Sequence, residues 1–235
     1  MISRYSWVVI TYILTQLSTV AFTLILFKQF NVTEIQASAY GSVIGFVAGL
    51  IVILLILKSE RTNFPRDGAS PLQILIWSIL GVFMAYIAQI IAVNIEIHVF
   101  GIKTTSENTA VLMDIIRMAP IFVIIPTIIA PILEEIVFRK VIFGAIYKRT
   151  NFFIGAAASS LIFALIHGEP KHLLIYASMG FVFAFVYVKT KRIIVPIIVH
   201  MAMNTITVIM QYSFTPEDLE NMQKQLEEMF IFIGG

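Results

Sequence analysis

The sequence contains no cysteine in its 235 residues. Disulfide bonds, thiolate metal sites and a cysteine nucleophile are therefore excluded. Charged residues are also scarce, at 13% of the chain against about 25% in a typical soluble domain. The formal net charge of only +2 provides no strong field for a nucleic acid, and we expect no nucleic-acid partner.

Apolar residues are correspondingly abundant. They make up 59% of the chain, against about 45–50% in globular domains. The length fits one domain, and one soluble domain of this size cannot hide so much apolar surface. The lipid bilayer must act as part of the solvent, which predicts an integral membrane protein.

Seven stretches are apolar enough to cross a bilayer, for which about 20 residues are needed. They are 7–27, 38–57, 72–93, 118–147, 151–167, 173–188 and 193–213. The predicted fold class is therefore all-α, a polytopic bundle of transmembrane helices. An eighth span arises if 118–147 breaks, because Pro120, Pro126 and Pro131 should kink or interrupt it.

One transmembrane domain is expected over residues 1–235. Its parts are N-terminal helices in 1–117, a core in 118–212 and a polar or amphipathic tail in 215–235. The run 7–27 is about twice as long as the apolar part of a signal peptide, so we expect a retained first helix. The segment 94–117 is predicted to be an interfacial helix or the approach to the next span. Thr215 is predicted to cap a helix in the tail.

Lysine and arginine are unevenly distributed between alternate loops. The loops after the second, fourth and sixth spans carry Lys58, Arg61, Arg66, Lys148, Arg149, Lys189, Lys191 and Arg192, whereas the others carry Lys28, Lys103 and Lys171. Loops rich in positive charge remain in the cytoplasm. Because Arg4 falls on the side of the richer loops, the N-terminus is predicted to be cytoplasmic. Seven spans then place the tail outside, and an eighth would reverse that.

Ionisable residues interrupt the apolar span 118–147. A charged side chain at membrane depth costs at least about 2.5–3.5 kcal/mol on insertion scales and normally faces the bundle interior. On a helix, Glu135 and Arg139 are i, i+4 neighbours, and their pairing would lower the cost of both charges. Glu134 points about 100° away from Glu135 and can serve as a general base in an apolar cavity. The alternative is a structural ion pair with a spare acid.

Two later spans carry further polar residues. His167 ends an apolar run, and the ring of Phe163, one turn earlier, can pack against it. His200 and Asn204 are i, i+4 neighbours in mid-span, where facing lipid is costly. The alternatives are an interfacial histidine and hydrogen bonds that merely hold helices together. His172 lies in a polar loop and is interpreted as solvated.

The depth of His167 differs from that of the other polar residues. Hydropathy places Glu134 and His200 near mid-span, whereas His167 lies about 10 Å from the centre at 1.5 Å per residue. Either its helix extends past Gly168, or the site opens through a water-filled cleft towards the non-cytoplasmic side.

Together these residues, on three of the predicted spans, can converge on one site. A carboxylate and two histidines can activate a water molecule, and histidine or asparagine can donate to an oxyanion. This set suits amide hydrolysis without a serine or cysteine nucleophile. Glu134, His167 and His200 would also make a recurrent zinc set, although no HExxH spacing is present. The cofactor is thus left open between none and a divalent metal such as zinc.

Three motifs resemble those of the CAAX protease and bacteriocin-processing family of intramembrane proteases, also called Abi proteins. They are Glu134-Glu135-x-x-x-Arg139, Phe163-x-x-x-His167 and His200-x-x-x-Asn204. The resemblance covers roughly residues 118–212. It implies a helical membrane fold with the active site between the motif-bearing helices. It also implies an endopeptidase, a hydrolase that cleaves a membrane-associated or prenylated peptide or protein.

The resemblance also implies a role for each motif residue. Glu134 would activate water and His167 would assist it. His200 and Asn204 would form the oxyanion hole. The supporting residues would be Glu135, Arg139 and Phe163.

Two other classes of function stay open. One is a non-catalytic membrane immunity or regulatory protein of the same family. The other is a proton-coupled transporter, because chains of acids and histidines also relay protons. For each class the expected location is a bacterial cell membrane. The complete catalytic set favours an enzyme over a binding protein. The small size and the lack of an evident inverted repeat disfavour a transporter.

Overall fold

The computed structural model describes residues 3–58, 67–102 and 106–214, together with positions 218, 221 and 225. The described residues form eight helices and contain no strand, so the all-α prediction is confirmed. The helices are α1 (Arg4–Gln29), α2 (Glu34–Ile56), α3 (Pro71–His98), α4 (Glu107–Met118), α5 (Pro120–Tyr147), α6 (Phe152–Ile166), α7 (Leu173–Thr190) and α8 (Ile194–Ser213). The helix predicted to begin at Thr215 lies outside the described residues, apart from the three isolated positions.

Six of these helices are long and apolar enough to cross a membrane, namely α1, α2, α3, α5, α7 with its preceding turn, and α8. The apolar helix α6 has 15 residues, fewer than the about 20 that the hydrocarbon core requires. Large apolar side chains such as Leu55, Phe83 and Ile87 are more than half exposed on the outer surface, which is where lipid chains would contact them. The protein is an integral membrane protein with a polytopic helical bundle.

The first two helices form a tightly packed hairpin. Gly41, Gly45 and Gly49 recur at every fourth position of α2 and face α1. A Cβ atom at Gly41 would lie only 2.6 Å from the backbone nitrogen of Thr23 on α1. The two backbones therefore approach closely because glycine leaves no side chain between them, a common device for packing membrane helices.

The central element of the bundle is α5. In its most apolar stretch of 18 residues, 56% of the residues are buried, against at most 33% in the corresponding stretches of the other candidate spans. It begins with a 3₁₀ turn and contains two π-helical segments, Ile125–Ile129 and Glu135–Phe143. The predicted distortion by proline is present, but α5 continues as one helix, so its residues form no separate eighth span.

Helices α1, α2 and α4 pack on one side of α5, and α6, α7 and α8 pack on the other. Helix α3 lies outside α7 and α8, where Ala85 contacts the cluster around Phe183 and Val199. Helix α4 occupies the second half of 94–117, the segment predicted to be an interfacial helix or the approach to the next span. The glutamate pair of α5 is thus placed between two groups of helices.

Candidate active site

A cavity of about 720 Å³ lies between α1, α2 and α4 on one side and α5 to α8 on the other. Its wall includes all four residues predicted to be catalytic, Glu134, His167, His200 and Asn204. Apolar side chains supply most of the remaining wall. The structure therefore brings residues of the three motifs to one cavity, as a catalytic site requires.

Glu135 is completely buried behind this cavity and contacts two other motif residues. Its Oε2 lies 3.0 Å from Arg139 Nε, which is the i, i+4 pair. Its Oε1 lies 3.0 Å from His200 Nδ1, a contact that the sequence analysis did not include. Because an ionised carboxylate only accepts hydrogen bonds, Nδ1–H must donate. The other ring nitrogen, His200 Nε2, lies 3.7 Å from Glu134 Oε2.

Arg139 is a fully buried guanidinium enclosed by aromatic rings. Its Cζ lies 4.7 Å from the centroid of Phe163 and 5.4 Å from that of Phe183. Nε is close to Glu135 but poorly aligned for a hydrogen bond, and neither Nη atom has an acceptor among the described residues. Charge pairing and cation–π contacts therefore replace hydrogen bonds as the support of this cation.

His167 follows the last residue of α6. Gly168 adopts φ = 71°, a conformation that favours glycine and ends the helix. Of the two alternatives for the depth of His167, the extension of its helix past Gly168 is therefore not observed. His167 Nδ1 donates to the carbonyl oxygen of Phe163 at 2.7 Å, which leaves Nε2 without its proton in a neutral ring. The cavity itself connects His167 with Glu134 and His200 despite their different depths.

Asn204 links α8 to the first π-helical segment of α5. Its Nδ2 donates to the carbonyl oxygen of Pro126 at 2.8 Å. A side-chain amide has two N–H donors, so one remains for a group in the cavity. The sequence analysis did not predict this contact, because nothing in the residue pattern indicated a π-helix around Pro126.

A network beside His167 also went unpredicted. Glu169 accepts hydrogen bonds from the Ser106 hydroxyl, the Asn108 N–H and the Tyr176 hydroxyl. Partial burial favours a raised pKa for the Glu169 carboxyl, but these bonds together hold that pKa below its usual range. Glu169 is therefore an anion at neutral pH. Its signal in the sequence was slight, a single acid in a polar connection.

A second buried pair corrects one interpretation. His172, expected to be solvated, is only 6% exposed, and its Nδ1 lies 2.9 Å from Glu96 Oε2 at the end of α3. Glu96 also accepts the N–H of Ile175 in the first turn of α7. The polar connection after His167 therefore packs against the end of α3, which removes His172 from water.

Glu134, His167 and His200, the possible zinc ligands noted in the sequence, are not assembled into a metal site. Among the described residues, no group of three histidine, aspartate or glutamate side chains is arranged to hold a metal ion. Nδ1 of His200 contacts Glu135 and Nδ1 of His167 contacts Phe163, contacts that would leave Nε2 of each ring available to a metal ion. The two rings and Glu134 are nevertheless not grouped as a three-ligand metal centre in the arrangement observed.

The fold and the site define a class of protein: a polytopic helical membrane protein with a buried carboxylate, histidine and asparagine site at a cavity. A family model described as Type II CAAX prenyl endopeptidase Rce1-like matches residues 116–206, the region that holds all three motifs. The chain belongs to this family and is a membrane peptidase.

Relatives match nearly the whole chain. YdiL of Bacillus subtilis, named as a candidate membrane peptidase, is 44% identical over 243 aligned positions, covering 99% of this chain and 98% of YdiL. The membrane-embedded CAAX protease MroQ of Staphylococcus aureus is 37% identical and covers 96% of each chain. The UPF0177 protein YxdF of Lactococcus lactis is 33% identical over 66% of this chain and 88% of its own. No solved structure matches the chain significantly.

Proposed function

We propose that this membrane peptidase is an intramembrane endopeptidase that hydrolyses a peptide bond of a membrane-associated or prenylated peptide or protein. The observation that carries the proposal is that Glu134, His167, His200 and Asn204 all line the same cavity. The largely apolar wall suits an apolar substrate segment. The name of MroQ, a CAAX protease, favours a substrate of that kind.

Glu134 is the proposed general base. Its carboxylate takes a proton from water, the water oxygen attacks the carbonyl carbon, and the carbon–nitrogen bond then breaks. The proton held by Glu134 passes to the departing amine. His167 assists by accepting a hydrogen bond from the same water at Nε2, because its Nδ1–H is already donated to Phe163.

His200 and Asn204 are the proposed donors to the oxyanion. Glu135 lies behind the His200 ring and contacts Nδ1, as the carboxylate of a catalytic triad supports an imidazolium. A protonated ring could then donate its Nε2–H into the cavity, beside the free N–H of Asn204. Donors already oriented in a dry site stabilise a developing oxyanion strongly.

Glu135, Arg139 and Phe163 are proposed to support these residues. Glu135 neutralises Arg139 and orients His200, and Phe163 contacts both the guanidinium and the His167 ring. No step in this scheme passes through a metal ion. The N-terminus is proposed to face the cytoplasm of a bacterial cell, on the charge distribution of the loops.

The test compares membrane proteomes, with their peptide products, from cells that express the wild-type protein or Glu134→Gln. Glu134→Gln keeps the size of the side chain but removes the base, so product peptides should disappear while the variant inserts normally. Glu34→Gln is the matched control, because Glu34 is exposed at the start of α2. Product peptides that persist in Glu134→Gln at the wild-type level would refute the proposed base.

A further inference from the structure

Glu169 joins three separate segments beside the cavity. Its carboxylate lies 2.8 and 3.0 Å from Ser106 Oγ, 2.9 Å from the backbone nitrogen of Asn108 and 2.6 Å from the Tyr176 hydroxyl. Ser106 caps α4 and Asn108 belongs to its first turn, where a negative charge is favourable. Glu169 therefore attaches the start of α4 to the connection that follows His167.

Helix α4 forms part of the cavity wall. The wall residues that it contributes are Asn108, Thr109, Leu112 and Met113. Helix α4 packs on α2, on the start of α5 and on α8, and Glu169 adds a polar attachment at its N-terminal end. Loss of that carboxylate would free the end of α4 that lies closest to His167.

Tyr176 connects the same carboxylate to the proposed catalytic histidine. Its ring is stacked on the His167 ring, with centroids 4.1 Å apart and planes at 25°. The His167 ring also meets Phe163 edge-on, with centroids 4.5 Å apart. One hydrogen bond at Nδ1 leaves the ring free to tilt, so the flat face of Tyr176 limits where Nε2 can point.

We propose that Tyr176 is a positioning residue for His167 and that Glu169 holds both Tyr176 and the N-terminus of α4. The Glu169 carboxylate thus links the orientation of the His167 ring to the position of α4 in the cavity wall. The effect that we expect on catalysis rests on the proposed function. Neither residue belongs to the three motifs.

The catalytic arm uses a synthetic peptide that spans a cleavage site found in the proteome comparison. Tyr176→Leu removes both stacking and the hydroxyl, and we expect kcat to fall at least tenfold with KM within twofold of the wild-type value. Tyr176→Phe keeps the stacking and should lose less than Tyr176→Leu. Glu169→Ala should lower kcat and also raise KM, because it releases part of the cavity wall. Lys171→Ala, an exposed neighbour, should match the wild type.

The second arm needs no catalysis. Diethyl pyrocarbonate modifies accessible imidazole nitrogens, and mass spectrometry reports the rate at each histidine of the protein in nanodiscs. We expect the rate at His167 to rise at least threefold in Tyr176→Leu and Glu169→Ala and to stay constant in Lys171→Ala. The exposed His98 serves as the internal reference for reagent strength. Tyr176→Phe provides a well-folded comparison if Tyr176→Leu aggregates.

The two arms separate the two proposals. A faster reaction at His167 in the variants, with no activity in the wild type, would support the positioning role and refute the proposed function. An active wild type whose kcat and His167 reactivity are unchanged in Tyr176→Leu would overturn the positioning role alone. A rise in KM without a fall in kcat in Tyr176→Leu would also overturn it, because Tyr176 would then act only on substrate binding.

Discussion

Glu135 lies between the cation of Arg139 and the ring of His200, and it is fully buried with both contacts at 3.0 Å. Removing one partner of a buried ion pair typically costs about 3–5 kcal/mol, because the other charge remains desolvated. Arg139 has no hydrogen-bond acceptor for its Nη atoms among the described residues, so it depends strongly on this pairing and on the two aromatic faces.

Glu135→Ala and Arg139→Ala should therefore each reduce the yield of folded protein severely. The double variant Glu135→Leu/Arg139→Leu should recover part of that yield, since neither charge is left alone. The monodisperse fraction in size-exclusion chromatography and the melting temperature in detergent measure the effect. Arg149→Ala, at an exposed arginine after α5, should behave as the wild type. Normal folding and activity of both single variants would refute the ion-pair role.

The histidines and glutamates of the cavity should act without a metal ion, because no described trio of such side chains is arranged to bind one. Activity of the purified protein should stay within twofold after treatment with a strong chelator, and elemental analysis should find less than one metal ion per ten chains. Stoichiometric zinc, loss of activity on chelation and recovery on adding zinc would contradict this prediction.

The motif residues could be found from the sequence because ionisable groups stand out in apolar spans. The spacing of Glu135 and Arg139 also predicted their contact. The contact between Glu135 and His200 could not be predicted, because it joins positions 65 residues apart and depends on the rotation of two helices. The burial of His172 was missed for the same reason, since its partner Glu96 is 76 residues away.

At the scale of elements, α5 shows what prolines do and do not determine. Their positions predicted a distortion, because proline removes a backbone donor and clashes with the preceding turn. The form of that distortion depends on tertiary contacts. Asn204 binds the carbonyl of Pro126, and the second π-helical segment begins at Glu135 beside its two partners. π-Helical turns are frequent at functional sites, and here one of them begins directly after Glu134.

The hairpin of α1 and α2 supplies the wall of the cavity opposite α8, so its close packing should matter to stability. Gly41→Leu should separate the two helices, because its Cβ would lie 2.6 Å from the backbone of Thr23, which cannot move away as a side chain can. We expect a melting temperature several degrees lower in detergent. Ile44→Leu, on the exposed face of α2, should leave it unchanged. An unchanged melting temperature in Gly41→Leu would show that the hairpin adapts to a side chain.

At the scale of the whole molecule, contacts between loops agree with the predicted alternation of spans when the short helix α6 is counted together with α3, α5 and α7. The Ala69 N–H donates to the carbonyl oxygen of Thr190, so the loop before α3 and the turn after α7 share one end of the bundle. Glu169, after α6, contacts Ser106 at the start of α4, and Glu96, near the end of α3, contacts His172 before α7. The end of α3, the start of α4 and the connection between α6 and α7 are therefore close together. Two of the three cation-rich connections thus lie at the same end of the bundle, and the side of the membrane that this end faces is open to experiment.

The lack of cysteine makes that side directly measurable. In intact bacterial cells, a membrane-impermeant maleimide should label Lys171→Cys, whereas Arg149→Cys should react only after the membrane is permeabilised. Both native side chains are exposed, and the unmodified chain has no thiol, so any labelling reports the introduced residue. The opposite pattern would place the lysine- and arginine-rich loops outside and reverse the proposed orientation. Because His167 and Glu169 adjoin position 171, the same result decides from which side of the membrane a soluble reagent first approaches the histidine.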